Sequence, residues 1–369
     1  MRSARERMVI GQLIEGDTPG GAERLVIQFA EELERRGHGI VTIIPAGGPA
    51  WLGNEMKRLG FPWATIRRRS MFDPRIVRDL VSILREHGAT ALHSHEFIGV
   101  HGARAARALR LPHVITMHGS PFFSEKWRRR TAFRWALRHS ALVGVSRDTS
   151  AHAEQVLGLR AGTAITIPNG IAPRPGDGPA LRRELGIDAD ELVVSAVGNV
   201  SERKNHIQLL RALLEIRERI PALRWRMVVA GQDRGCMAEI RAVAAAAGVA
   251  DRVHLLGHRD DTENVLAAAD VFAMPSLHEG MPLAIIEAMF ASRPVVSSTA
   301  GGVADMLDHG REGFLFPVGD TAALADALER LLTDPTLRAT VSAAGRARAE
   351  RQFGIGPMMD AYEALYAGR

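Results

Sequence analysis

Short apolar runs alternate with amphipathic segments along almost the whole chain, and this constrains the fold more than any other feature. Met8 to Ile14, Ile40 to Ile44, Ala91 to His93, His113 to Met117 and Ala141 to Val145 are runs of strand length. Between them lie segments of helical spacing: one entered through Gly20 and Gly21 and carrying Leu25, Val26, Phe29 and Leu33, then Trp51 to Leu59, Pro74 to His87, a stretch ending at Leu109, and Ser124 to His139. Strands separated by helices pair in parallel, and a parallel sheet needs cover on both faces. The pattern begins again with Leu192 to Val197, Trp225 to Ala230, Val253 to Leu256, Val271 to Met274, Val295 to Ser298 and Gly313 to Pro317, with a helix over His206 to Ile220 and a helical tail from Leu324. Between the two series Ala172 to Pro179, A-P-R-P-G-D-G-P, reads as a linker by composition. The expectation is two α/β units, and 369 residues are enough for two separate cores.

Ligands of such sheets bind beyond the carboxyl ends of the strands, and the most informative of these ends runs from Asp270 to Gly302. There D-V-F-A-M is followed by P-S-L-H-E-G-M-P and then by a helix whose apolar residues Leu283, Ile286, Met289 and Phe290 recur at helical spacing. Gly280 lets the backbone approach a ligand closely, and Pro282 fits the first helical turn. The N–H groups of Met281, Leu283 and Ala284 would then face whatever lies above the loop, an arrangement that suits a phosphate. Glu279 in the loop and Glu287 one turn into the helix are separated by seven residues. The second is placed to accept hydrogen bonds from a ribose diol, and the first to meet a sugar on the far side of a diphosphate.

The string E-G-M-P-L-A-I-I-E-A-M after an apolar strand resembles the E-x7-E motif of the retaining nucleotide-sugar glycosyltransferases of family 4. The resemblance covers nearly the whole chain and implies the GT-B fold, two Rossmann-like domains facing across a cleft. The divisions expected on this basis are residues 1–172 for an acceptor-binding domain and 173–350 for a nucleotide-sugar-binding domain. Residues 351–369 would form a C-terminal helix that crosses back to the first. In that family the second glutamate binds ribose, the loop amides bind the diphosphate and the first glutamate contacts the donor sugar; here these would be Glu287, Gly280 to Leu283, and Glu279. His118-Gly119 after V-I-T-M matches the family's H-G or H-D, with the histidine reaching the donor sugar and phosphate. I-P-N-G-I around Asn169-Gly170 is a further string the family shows. Arg203 and Lys204, in G-N-V-S-E-R-K-N from Gly198, match a pair that neutralises the diphosphate as two cations. The family commonly has arginine where this chain has Asn199, and usually glutamate where it has Asp305. Loops at Gly231 and at Gly257-His258-Arg259 would flank the nucleotide base. The Gly20-Gly21 loop would contact donor phosphate or acceptor; it is no dinucleotide fingerprint, since G-x-G-x-x-G is absent.

Composition narrows the remaining classes. With 46% hydrophobic and 24% charged residues the chain has the make-up of a soluble globular protein. No apolar run approaches the ~20 residues that cross a bilayer, and the charged start Met1 to Arg7 is not followed by a signal-peptide core, so a cytoplasmic location is expected. The single cysteine, Cys236, excludes internal disulfides and cysteine-based zinc sites, and the 14 histidines form no H-E-x-x-H. His93 and His95, flanking Ser94 near a strand end, read as packing or substrate contacts. Asp188 and Asp190 form a D-x-D away from any strand tip, which reads as solvated. No metal and no separate cofactor are expected.

Charge is uneven: residues 1–170 hold 25 Lys+Arg against 15 Asp+Glu, and the remainder 22 against 27. A basic first half suits an anionic membrane face or an anionic acceptor. No aromatic-interleaved module points to nucleic acid. The combined reading is a retaining, metal-independent hexosyltransferase using a UDP- or GDP-sugar and a glycan or lipid-linked acceptor in cell-surface polysaccharide or glycolipid synthesis. It would act in the cytoplasm or peripherally on the inner face of the plasma membrane. Arg203, Lys204 and the helix amides would stabilise the leaving diphosphate, and front-face displacement is favoured because no second carboxylate is placed as nucleophile. The alternative is a nucleotide-sugar epimerase of the same build. A non-catalytic binding subunit is a third reading, against which intact His118, Lys204, Glu279 and Glu287 argue.

Overall fold

The computed structural model describes residues 7–48, 50–67, 73, 75–119 and 127–368. The chain forms two compact units, Met1–Asn169 together with Ile355–Arg369, and Gly170–Gly354. No described helix is long and apolar enough to cross a membrane.

In the first unit seven parallel strands form one sheet: β1 (Val9–Leu13), β2 (Gly39–Pro45), β3 (Trp63–Ile66), β4 (Ala91–His95), β5 (His113–Met117), β6 (Ala141–Gly144) and β7 (Ile165–Thr166), in the order β3-β2-β1-β4-β5-β6-β7. The sequence pattern missed β3 and β7, which lie at the two edges. Of β3 only Ile66 is buried, and both residues of β7 are exposed, so neither carries an apolar run. The helices are α1 (Gly21–Arg35), α2 (Trp51–Leu59), α3 (Arg75–Glu86), α4 (Gly99–Leu109), α5 (Trp127–Ala136) and α6 (Arg147–Leu157). Ile76, Leu80 and Leu84 of α3 pack on Leu13, Val41, Ile43 and Leu92, while Phe133 of α5 and Leu157 of α6 pack with Ile115 and Leu142. The expected starts of two helices, Pro74 and Ser124, lie outside the described residues, as do Arg68, Arg69, Phe122, Phe123 and Lys126.

The second unit has six parallel strands, β8 (Leu192–Val197), β9 (Trp225–Ala230), β10 (Val253–Leu255), β11 (Val271–Met274), β12 (Val295–Ser298) and β13 (Phe314–Phe316), in the order β10-β9-β8-β11-β12-β13. Its helices are α7 (Gly178–Glu184), α8 (His206–Arg219), α9 (Met237–Ala246), α10 (Thr262–Ala268), α11 (Leu283–Phe290), α12 (Thr321–Thr333) and α13 (Pro335–Gln352). Trp225, fully buried, anchors a core with Leu209, Leu213, Phe314, Leu324 and Leu328. The stretch read as a linker is exposed except at Gly178, and two of its glycines lie against the second unit. A Cβ on Gly176 would stand 2.1 Å from the Glu263 carbonyl, and one on Gly178 2.3 Å from that of Ala267, so these glycines let the backbone close on α10. Between them Asp177 caps α7 by accepting from the Ala180 N–H at 2.9 Å.

The last helix, α14 (Ile355–Tyr366), belongs to the first unit. Arg36, at the end of α1, donates to Asp360 at 2.6 Å, Glu363 at 2.9 Å and the Gly356 carbonyl at 3.0 Å, which fixes α14 along the sheet. Tyr362 and Tyr366 are buried there. In both sheets the strand order reverses at one place, between β1 and β4 and between β8 and β11, and the crevice beyond such strand ends is where doubly wound sheets hold ligands.

Candidate active site

In the second unit the reversal point brings together two loops remote in sequence. After β8 the chain passes Gly198, Asn199 and Val200 into a short 3-10 turn, Glu202–Lys204; after β11 it passes Pro275 and Ser276 into Glu279 and Gly280. The Leu277 N–H donates to the Arg203 carbonyl at 2.8 Å and ties the loops. Lys204 Nζ then donates to Glu279 Oε1 at 2.6 Å, and Arg203 Nη1 stands 3.9 Å from Glu279 Oε2. Glu279 is only 5% exposed. Burial pushes its carboxyl up, but the attraction of Lys204 and Arg203 and the bond from Lys204 outweigh this and hold it below the usual carboxylate range. Arg203 is more than half exposed, a cation on hand for a further anion.

Gly198 is what admits the lysine. Its φ of +146° suits glycine, and a Cβ there would stand 3.2 Å from Lys204 Cε. Gly231, at the end of β9, lies so close to Gly198 that a Cβ would stand 1.9 Å from the Gly198 carbonyl oxygen. The Gly231 N–H in turn donates to the Gly257 carbonyl at 2.7 Å. Three glycines therefore close the ends of β8, β9 and β10 upon one another, a contact that no local pattern foretells for Gly257. His206, the first residue of α8, was also missed: it is buried beside this pair, and burial lowers it to about 3, so it is neutral.

Helix α11 starts at Leu283, with Pro282 at the cap position just ahead of it rather than inside the first turn as expected. The N–H groups of Leu283 and Ala284 thus fall in the turn that lacks intrahelical acceptors. Met281, Pro282 and Leu283 are buried, and along the helix only Ala284 and Glu287 are not. A core helix with an opening confined to one stripe, three residues apart and on the side of its N-terminus, is what a ligand-facing helix requires.

The remaining expected positions are distributed as follows. His258 contacts Asp260 at 3.1 Å, and Arg259 is engaged by Glu184 at 2.7 Å and by Asp261 at 2.8 Å, which join α7 to the start of α10. Its guanidinium serves those carboxylates here. Asp188 and Asp190 both pair with Arg224. Among the described residues no three His, Cys, Asp or Glu side chains converge in a way that would hold a metal ion.

The first unit places the Gly20-Gly21 loop after β1, at its own reversal point, and His118 one strand beyond it, after β5. Gly20 caps α1 and Gly21 is its first residue, with open space around Gly21. The Glu23 side chain folds back over the loop, its carboxylate lying where a Cβ on Gly16 or Gly20 would go. Burial is the main cause that raises its carboxyl above the usual range. His118, after β5, donates its backbone N–H to Glu96 Oε1 at 2.7 Å, and its ring Nε2 lies 2.8 Å from His95 Nδ1. Burial lowers His118 to about 4, so the ring is neutral at pH 7. Glu96, which holds it, has φ +62°, an uncommon conformation for a non-glycine residue.

The chain is similar to known proteins in both sequence and fold. Residues 19–174 match the family described as Glycosyltransferase Family 4, and residues 191–334 match Glycosyl transferases group 1. The UDP-Gal:alpha-D-GlcNAc-diphosphoundecaprenol alpha-1,3-galactosyltransferase of Escherichia coli is 26% identical over 99% of this chain and 98% of its own. A phosphatidyl-myo-inositol mannosyltransferase of Mycobacterium leprae is 29% identical over 91% of this chain and 90% of its own. Among solved structures, Anabaena HepE in complex with UDP-glucose aligns at a TM-score of 0.82 and 26% identity, covering 98% of this chain and 100% of that one. A Rickettsia africae glycosyltransferase reaches 0.86 at 16% identity over 99% of both chains, which shows the shared GT-B fold. Two family matches covering most of the chain, relatives along its full length and the same two-sheet architecture lead to one conclusion: the chain belongs to the family 4 glycosyltransferases.

Proposed function

We propose that this glycosyltransferase moves a sugar from a UDP-sugar to a glycan or lipid-linked acceptor, with retention of anomeric configuration and without a metal ion. The observation that carries the reading is the buried Lys204–Glu279 pair with exposed Arg203 beside it, at the strand ends next to the open stripe of α11. In this reading Glu287 accepts the ribose hydroxyls. Lys204, Arg203 and the first-turn amides of α11 take the diphosphate, Glu279 and His118 meet the sugar, and the first unit carries the acceptor. The bond from the anomeric carbon to the diphosphate breaks, the acceptor oxygen forms its bond to that carbon, and the acceptor proton leaves with the diphosphate. Fixed cations aimed at the leaving group lower the barrier because they need no reorganisation as charge grows there. UDP is favoured as the nucleotide because the HepE complexes contain it and the E. coli relative is named for UDP-Gal. The same relative's diphosphoundecaprenol acceptor, and lipopolysaccharide core enzymes among the relatives, support a lipid-linked or glycan acceptor.

The test is calorimetric titration with UDP, GDP and ADP, followed by turnover of the matching sugar donors with excess EDTA and assignment of the product anomer by NMR. UDP binding, EDTA-resistant turnover and a retained α configuration are expected. Preference for GDP overturns the choice of nucleotide, loss of turnover that magnesium restores overturns metal independence, and an inverted product overturns retention.

A further inference from the structure

The strand β4, read from sequence as A-L-H with polar residues after it, is buried along its whole length, histidines included. Gln12 of β1 pairs in register with His93, and His95 with Thr116 of β5. Alternation along the strands puts all four side chains on one face. Tyr362 and Tyr366 of α14 cover that face, and all six residues are at most 2% exposed. Buried polar groups must satisfy one another, and here they do so in a continuous path. Tyr366 OH lies 2.7 Å from His93 Nδ1, and His93 Nε2 lies 2.8 Å from Thr116 Oγ1, which is 3.0 Å from Tyr362 OH. Gln12 Nε2 is 3.3 Å from the same His93 Nδ1, while Gln12 Oε1 is 2.7 Å from His95 Nε2. His95 Nδ1 completes the path at His118 Nε2, 2.8 Å away.

The path has a direction. Burial keeps the Tyr366 phenol protonated and the His93 and His95 rings neutral. A neutral imidazole has one donor and one acceptor nitrogen. Gln12 turns its amide nitrogen, which can only donate, to His93 Nδ1 and its oxygen, which can only accept, to His95 Nε2, so His93 Nδ1 is an accepting nitrogen and Tyr366 donates to it. His93 Nε2 then bears the proton and donates to Thr116. The Gln12 oxygen, an acceptor only, faces His95 Nε2. His95 Nε2 must therefore donate and His95 Nδ1 accept, which places the proton of His118 on Nε2. His118 Nδ1, with no hydrogen-bond partner among the described residues, is left with its lone pair on a residue that is not fully buried.

We propose that Tyr366, His93, Gln12 and His95 are positioning residues that lock His118 in the neutral Nε2–H tautomer, so that it meets the donor sugar as a hydrogen-bond acceptor for one hydroxyl. This rests on the reading of His118 as a donor contact and narrows it. An accepting nitrogen bonds a hydroxyl but repels a phosphate oxygen, so His118 selects a sugar that carries a hydroxyl at that position and leaves the diphosphate to the cations of the second unit. The C-terminal helix thereby sets the chemistry of a ring at the end of β5, reached through Gln12 and the two histidines of β4.

The experiment records imidazole 15N shifts of the full chain labelled with 15N-histidine at neutral pH, the His118 signals being assigned by their loss in His118→Gln. A protonated Nε2 and a bare Nδ1 are expected. Tyr366→Phe keeps the packed ring but removes the donor, and His95→Leu removes the acceptor; both should give His118 a mixture of tautomers. They should also lower kcat/KM for the sugar donor about tenfold, the worth of one hydrogen bond, while the Kd for free UDP stays unchanged. His95→Asn, which keeps an acceptor oxygen near the place of Nδ1, should restore the tautomer and most of the rate. A proton on Nδ1 of His118 in the wild type, or an unaltered tautomer in Tyr366→Phe, overturns the proposal, and the wild-type spectrum decides it even if a variant does not fold. Full turnover by His118→Gln together with the expected tautomers upholds the lock and overturns the donor-contact reading instead.

Discussion

Glu279 keeps its charge in a nearly dry setting only because Lys204 is there, and this coupling makes a prediction about pH. The carboxyl titrates in the fold below its unfolded value of about 4.3. A depressed carboxyl contributes stability that is fully present above the unfolded value and lost as pH falls through the folded one. Lys204→Met strands the carboxylate, at a cost of roughly 3–5 kcal/mol near neutral pH. Burial then raises the carboxyl, so acid relieves the variant while it costs the wild type. Thermal melts should show a wide gap in Tm at pH 7 that narrows below pH ~5. A gap independent of pH would mean the lysine acts through packing alone. Glu287 differs, being only partly buried and set on the open stripe of α11. Under the proposed ribose role Glu287→Gln should leave Tm in place and weaken UDP binding by about 1.5–3 kcal/mol, the worth of charged hydrogen bonds. Unchanged UDP affinity by calorimetry would remove that role.

Between elements, glycines decide how closely loops approach, and two of them make opposite predictions. Gly231→Ala drives a Cβ into the Gly198 carbonyl, so β8 and β9 must part at their ends, costing about 1–3 kcal/mol or more; the shift also moves Lys204, so Tm and UDP affinity should fall together. Gly21→Ala meets nothing within 4 Å and sits at the start of α1, so Tm should hold or rise slightly. If a ligand approaches that loop, as proposed, turnover should fall with no loss of stability. Activity and Tm both unchanged would make the Gly20-Gly21 loop a simple helix entry. These contacts also mark how far the sequence is legible. The strand, loop and helix around Glu279 could be read because apolar period, proline and glycine signals are local. Gly231 against Gly198, Gly176 against α10 and Gln12 against two histidines of β4 join residues far apart in the chain, and no local pattern encodes them. For the same reason β4 read as a strand ending at His93: its buried histidines look like surface residues until Tyr362 and Tyr366 supply their partners.

At the scale of the whole molecule charge is divided rather than spread, and the first unit carries the excess: residues 51–150 hold 18 Lys+Arg against 7 Asp+Glu. Part of it lies on α5, where Phe133 and Ala136 are buried while Arg128, Arg130, Arg134 and Trp127 face solvent, Trp127 at 71% exposure. Arg129 is placed differently, its guanidinium stacked over the Phe97 ring at 5.6 Å, and so counts toward packing. An exposed tryptophan among arginines is the composition of a surface that meets lipid headgroups. Each basic residue near an anionic membrane contributes about 1 kcal/mol, so a handful holds a protein there reversibly without an anchor. A lipid-linked acceptor, as proposed, would be met at that surface. Co-sedimentation should therefore succeed with vesicles containing phosphatidylglycerol at low salt, fail with neutral vesicles, and weaken steeply at high salt because the attraction is screened. Changing Arg128, Arg130 and Arg134 to Ser should abolish it while leaving Tm and UDP affinity in place, since none of the three is buried. Equal sedimentation with both vesicle types, or no loss in the variant, would remove the membrane from the account and leave a soluble anionic acceptor as the partner of the basic unit.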